Sequence, residues 1–151
     1  LTVEPGRLLV GNACILVSRV IYVKDISTRR FVVVDAAMND FIRPTLYDAD
    51  HNVLAVSEQP DAKGRPADVV GPVCETGDVL ARDIPLPEMA PDDLIAIETA
   101  GAYGAVMAST YNTRLPVAEI MVKGDKFSVI RPRPDYDMLL SLDQMPDWLR
   151  D

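Results

Sequence analysis

Twelve prolines punctuate this 151-residue chain, and they narrow its possible folds more than any other feature. Proline donates no backbone hydrogen bond and clashes with the preceding helical turn, so a chain broken this often has little room for long helices. Short runs rich in valine, isoleucine and leucine recur at 8–10, 15–23, 31–34, 53–56, 69–70 leading into 73, 94–97, 118–122 and 127–130. Turn signals separate them: Gly71-Pro72, the proline-rich stretch 85–91, and Gly124-Asp125, which suggests a hairpin between two strands. We therefore expect a mainly β fold, a barrel or sandwich with a few short helices. The candidate helices are 38–47, 103–109 and 136–142, and the polar segment 58–68 reads as a mobile loop.

Length and composition fit one globular domain with a real core. Apolar residues make up 48% and charged residues 25%, which excludes a disordered or collagen-like chain. Twenty-three acids against fifteen bases leave a net charge of −8. That excludes a general nucleic-acid binder, which needs clustered Lys and Arg. No apolar run approaches the roughly 20 residues of a membrane span, and no signal-peptide layout precedes the first strand. Cys14 and Cys74 form no CxxC pair and His51 is the single histidine, so we expect no metal site and no disulfide framework. A reduced, cytoplasmic protein is the natural expectation. The chain opens Leu-Thr-Val-Glu-Pro-Gly without an initiator Met, and reads as a piece of something longer.

Several clusters set reactive side chains beside turn residues. Glu4-Pro5-Gly6-Arg7 can aim an acid and a guanidinium at one ligand, or can be an ordinary turn with a surface ion pair. Arg43-Pro44-Thr45-Leu46-Tyr47 would put Arg43 and Tyr47 on one helical face, able to hold a carboxylate, or simply a guanidinium over a ring. Cys74-Glu75-Thr76-Gly77-Asp78 offers a thiol and two carboxylates in five residues; Cys74 is either a proton donor or a buried structural thiol. Ala100-Gly101-Ala102-Tyr103-Gly104 could approach a phosphate closely or could be a bare corner. His51 reads more readily as a satisfied or solvent-facing histidine than a catalytic one. Tyr111-Asn112-Thr113-Arg114 reads as a ligand contact or a polar turn.

Taken in order, these clusters resemble the C-terminal portion of the bacterial diaminopimelate decarboxylases, pyridoxal-phosphate enzymes of the alanine-racemase-like fold type. The resemblance runs through Glu4-Pro5-Gly6-Arg7, Val34-Asp35-Ala36-Ala37-Met38-Asn39-Asp40, Ile42 to Asp48 and Ala49, and His51. It continues through Gly71-Pro72-Val73-Cys74-Glu75-Thr76-Gly77-Asp78, Gly101-Ala102-Tyr103-Gly104, Tyr111 to Arg114, and Glu119. Ala37 stands where the family usually has Gly, and Asp50 where an aromatic is common. Ala in place of Gly would be disfavoured if that turn required a positive φ.

The resemblance implies a role for each residue. Glu4 would face the pyridine nitrogen of the cofactor. Arg7 would help bind the substrate carboxylate or the cofactor phosphate region. Arg43 and Tyr47 would hold the far carboxylate of meso-diaminopimelate, and Tyr103 would contact the cofactor near its phosphate. Cys74 and Glu75 would act across a homodimer interface, Cys74 donating a proton to the carbon that loses carbon dioxide and Glu75 recognising the distal ammonium. Asp78 would support that loop. The parent enzyme would convert meso-diaminopimelate to L-lysine and carbon dioxide. The alternatives are a related decarboxylase of a basic amino acid or polyamine precursor, and a stand-alone β binding module. By the same resemblance, the lysine that carries pyridoxal phosphate covalently lies in an N-terminal (β/α)8 barrel missing from this sequence. None of Lys24, Lys63, Lys123 and Lys126 sits in its place. We therefore expect residues 1–151 to form a C-terminal β domain, with 1–12 the end of the barrel, and to be inactive alone.

Overall fold

The structure, a computed structural model, describes residues 1–58 and 63–149. It divides into two compact units, 1–108 and 109–151. In the first, six strands form one sheet: β1 (Leu16–Asp25), β2 (Arg30–Val34), β3 (Val53–Ala55), β4 (Arg65–Val70), β5 (Val79–Leu86) and β6 (Leu94–Ile97). Their spatial order is β3-β6-β1-β2-β4-β5. The two edge strands, β3 and β5, also touch, so the sheet curls into a nearly closed barrel and leaves little unpaired edge. All pairings are antiparallel except β2 with β4, which is parallel. Two short helices interrupt this unit, α1 (Arg7–Val10) and α2 (Arg43–Tyr47).

Alternation explains the core. Along β2, Arg30, Val32 and Val34 point inward while Phe31 and Val33 are half-buried. Val20 from β1, Val69 from β4, Leu80 and Leu86 from β5, and Ile95 and Ile97 from β6 meet them, with Phe41 closing one end. Each such aliphatic side chain stabilises the fold by about 1.5–3 kcal/mol relative to solvent exposure. Arg30 is buried by design: its Nη1 donates to the carbonyls of Leu86 and Pro87, and its Nη2 pairs with Glu88 at 3.2 Å.

Most of the expected strands are present, and the differences have local causes. Residues 8–10 are helical, because Pro5-Gly6 makes a turn in which the Leu8 N–H donates to the Pro5 carbonyl. The expected loop 58–68 is partly strand, since β4 already begins at Arg65; its residues 59–62 lie outside the described residues. Strand β5 carries no apolar run in its middle. Its Arg82-Asp83 segment breaks the alternation, with Asp83 at φ 51° and its N–H donating to Asp68. The expected helix 38–47 shortens to Arg43–Tyr47, and 103–109 holds only a 3-10 turn at Ala105–Met107.

The second unit contains the expected hairpin, β7 (Glu119–Lys123) with β8 (Lys126–Arg131), turned at Gly124 with φ 60°. Helix α3 (Tyr136–Leu140) follows, capped by Asp135, whose carboxylate accepts from the Met138 N–H at 2.7 Å. Tyr111–Thr113 form a 3-10 turn. Among the described residues, no helix is long and apolar enough to cross a membrane.

Candidate functional site

Three chain segments converge at the first unit's α1 end. The Glu4-Pro5-Gly6-Arg7 turn needs Gly6, which adopts φ 40°. The 100–104 loop packs on the segment that follows: Gly101 N–H donates to Gly11 O and Ala100 N–H to Cys14 O, both at 3.0 Å. A side chain at position 101 would place its Cβ 1.9 Å from the Val10 carbonyl oxygen, so only glycine permits this approach. Tyr103 sits in that loop at φ 61°, a left-handed conformation that costs a non-glycine residue about 1–2 kcal/mol. It brings the Tyr103 hydroxyl against Gly6, 3.5 Å from the position of a Cβ there.

Helix α2 supplies the third segment. Pro44 occupies its first turn and Asp48, at φ 51°, ends it. Arg43 and Tyr47 share a face, as expected: the Arg43 guanidinium carbon lies 5.6 Å from the Tyr47 ring centroid and 5.5 Å from that of Tyr103. The cation is therefore held between two rings from different segments. The ring packing and the carboxylate-holding role, set against each other above, are compatible. Arg43 donates from Nε to His51, and its terminal Nη groups have no hydrogen-bond partner among the described residues.

His51 is buried and satisfied. Its Nδ1 lies 2.9 Å from the Glu98 carbonyl oxygen, its Nε2 lies 3.4 Å from Arg43 Nε, and its ring meets Phe41 edge-on at 4.6 Å. Burial lowers its pKa below the ordinary value of 6.5, the Glu98 carbonyl pushes it back up, Arg43 and Arg7 lower it further, and Asp50 raises it. The neutral ring is the form this site favours.

The Cys74 loop is built separately and tied to the opposite side of α2. Asp78, 3% exposed, accepts from the Met38 N–H at 2.6 Å and the Val73 N–H at 2.8 Å. It thereby binds the 71–78 loop to the turn after β2. The Thr45 hydroxyl donates to the Gly77 carbonyl at 2.6 Å. Thr45 is two positions from Arg43, so it faces away from it on the helix. Cys74 is exposed and free, as is Cys14, which removes the buried structural reading of Cys74. Glu75 is exposed beside it. The turn after β2 tolerates Ala37: the residue is buried and is not among the positive-φ positions, so glycine is not required there.

The remaining residues can be placed individually. Glu4 and Arg7 are exposed. Tyr111, Asn112, Thr113, Arg114 and Glu119 belong to the second unit. Among the described residues, no group of three His, Cys, Asp or Glu side chains could hold a metal ion. The fit to pyridoxal phosphate is partial. Glu4 offers a carboxylate for a ring nitrogen and Tyr103 a phenol for a phosphate, both on the glycine-dependent junction just described. Among the described residues of the first unit no lysine pairs with them: Lys24 and Lys63 are exposed in β1 and before β4, and neither partners Glu4 or Tyr103. The residues present would hold the cofactor's periphery, not its aldehyde.

Comparison with known proteins bears on the fold and the family. The family model "Pyridoxal-dependent decarboxylase, C-terminal sheet domain" matches residues 8–101. The diaminopimelate decarboxylase of Zymomonas mobilis is 53% identical over 97% of this chain and 34% of that protein. That of Archaeoglobus fulgidus is 48% identical over 99% of this chain and 35% of its own length. The crystal structure of diaminopimelate decarboxylase from Helicobacter pylori complexed with L-lysine superposes with a TM-score of 0.84 at 46% identity, covering 92% of this chain and 34% of that one. The chain thus spans about a third of the length of the relatives it matches. A mainly β chain that matches this sheet-domain model and is 53% identical, over nearly its whole length, to one such decarboxylase belongs to the pyridoxal-dependent decarboxylase family, as its C-terminal sheet domain.

Proposed function

We propose that this domain completes the active site of a decarboxylase that converts meso-diaminopimelate to L-lysine and carbon dioxide. The observation that carries the reading is Arg43, a cation clamped between Tyr47 and Tyr103 with both terminal nitrogens unpartnered among the described residues. Such a fork suits a carboxylate. Diaminopimelate carries a carboxylate at the end remote from the reacting carbon, and ornithine or arginine does not. The relatives named above support the same substrate, and the Helicobacter protein was crystallised with L-lysine.

The residues divide the work. Arg43 and the Tyr47 phenol take the distal carboxylate, with Arg7 adding positive charge nearby. Glu75 takes the distal ammonium. Glu4 holds a proton on the cofactor's pyridine nitrogen, and Tyr103 binds near its phosphate. Pyridoxal phosphate supplies the electron sink that makes loss of carbon dioxide feasible. Cys74 then gives its Sγ proton to the carbon that has lost carbon dioxide; one C–C bond breaks, one C–H bond forms, and the thiolate regains a proton from solvent. Thr45 and Arg43 lie on opposite sides of α2, so the Cys74 loop and the carboxylate fork face different ways. That arrangement suits a homodimer in which Cys74 and Glu75 serve the partner subunit's site. Two free, exposed thiols suit a reducing cytoplasm. On this reading the present chain alone neither turns over diaminopimelate nor binds pyridoxal phosphate covalently.

The test is Arg43→Gln in the full-length enzyme. Losing a charge-assisted carboxylate contact should lower kcat/KM for diaminopimelate by about two orders of magnitude, with the smaller effect on kcat. An unchanged KM, or equal activity on a basic amino acid without the distal carboxylate, would overturn the substrate assignment.

A further inference from the structure

The Arg43 guanidinium touches a buried histidine that no step above uses. His51 lies four residues past the end of α2 and is 7% exposed. A backbone carbonyl can only accept, so the 2.9 Å contact to Glu98 requires the proton on Nδ1. A guanidinium Nε–H can only donate, so the contact to Arg43 requires a lone pair on Nε2. Both demands are met by one neutral tautomer. The carbonyl end is itself fixed, because the Glu98 N–H donates to Asn52 O at 2.9 Å and the Asn52 amide donates to the Glu98 carboxylate at 2.7 Å. Phe41 packs the ring edge-on from the segment after β2.

Resting on the carboxylate-binding reading of Arg43, we propose that His51 is a positioning residue. It occupies Arg43 Nε, leaving only the two terminal nitrogens to receive the substrate's distal carboxylate. An arginine can grip a carboxylate side-on through Nε and one Nη, or end-on through both Nη groups. With Nε engaged, the side-on grip is closed and the end-on grip remains. The charged groups around the ring act on the same balance. Arg43 on α2, Arg7 on α1 and the adjacent Asp50 all bear on the ring, and the two arginines disfavour a second ring proton. A protonated ring would turn Nε2–H against Arg43 Nε–H and release the guanidinium.

Two replacements separate position from bulk. In His51→Gln the amide oxygen reaches roughly where Nε2 lies and can accept from Arg43. In His51→Asn the amide stops near Nδ1 and cannot. In the full-length enzyme, His51→Asn should raise KM for diaminopimelate about tenfold or more, with kcat within about twofold, whereas His51→Gln stays within about threefold of the parent. The parent should also lose affinity on the acid side as His51 protonates, and His51→Gln should lack that limb. Equal KM values for the two variants would overturn the proposal. If Arg43→Gln also leaves KM unchanged, the carboxylate-binding reading fails instead. Nitrogen NMR of the unsubstituted chain decides the tautomer without any catalysis. An Nδ1–H ring and a slowly exchanging Arg43 Nε–H support the positioning bond; an Nε2–H ring sinks it.

Discussion

Gly101→Ala tests the junction on which the site stands. The added methyl carbon would lie 1.9 Å from the Val10 carbonyl oxygen and 3.1 Å from that of Gly11. The first distance is far inside the 3.4 Å at which ordinary contact begins, and the obstacle is backbone that cannot rotate away. The 100–104 loop must therefore retreat by more than an ångström. Retreat breaks the Gly101 N–H bond to Gly11 and weakens the Ala100 N–H bond to Cys14. Each such bond is worth about 1 kcal/mol net, and overpacking adds about 1–3 kcal/mol. We expect a loss of about 3–4 kcal/mol, measured by urea denaturation of the chain with circular dichroism, as a lower midpoint at similar slope. Tyr103 would withdraw from Arg43 with the loop. Gly124→Ala is the control: nothing lies within 4 Å of its added carbon, so only its φ of 60° costs, about 1–2 kcal/mol. If Gly101→Ala loses no more than this control, the close approach at Val10 is not what the loop depends on.

Three further outcomes follow from named contacts. Asp78→Ala leaves the Met38 and Val73 N–H groups without their acceptor and should destabilise the chain by about 2–4 kcal/mol in the same denaturation assay. Thr45→Val keeps the shape but removes the donor to Gly77; it should cost about 1 kcal/mol and speed amide hydrogen exchange in the 74–78 loop, and unchanged exchange would show that the loop does not rely on α2. His51 makes stability depend on acid. Above about pH 6.5 the ring is neutral in both folded and unfolded chains; below it the unfolded chain takes up a proton that the folded chain resists. Stability should fall with pH until the lowered folded pKa is reached, and His51→Gln should remove that part of the slope.

Much of this protein can be read locally. Valine and isoleucine runs mark β1, β2 and β6, and in β2 the strand's period of two writes its buried face directly into the sequence; the exposed β7–β8 hairpin is legible instead from two apolar runs around Gly124-Asp125. Strand β5 escaped because its register bends at Asp83, where a backbone bond to the Asp68 carboxylate replaces apolar alternation. The Arg43-to-Tyr47 spacing predicted a shared helical face, and the helix is there. Tyr103 stands out in the sequence by its glycine-flanked loop, yet nothing in its neighbours says that its ring stands on Arg43. That contact joins residues sixty positions apart, and it exists because Gly101 lets one backbone segment lie against another.

The chain's own order of residues determined the β class, the helical pairing of Arg43 with Tyr47, and, through its ordered motifs, the resemblance to a decarboxylase family. Each of these rests on contacts a few residues apart or on an ordered pattern along the chain. Only the tertiary structure decided that His51 is a buried partner of Arg43, that Cys74 is exposed, and that Asp78 and Thr45 tie its loop to the far side of α2. Those outcomes depend on which strand lies beside which. A lone histidine or thiol carries no period by which a sequence could announce its partner.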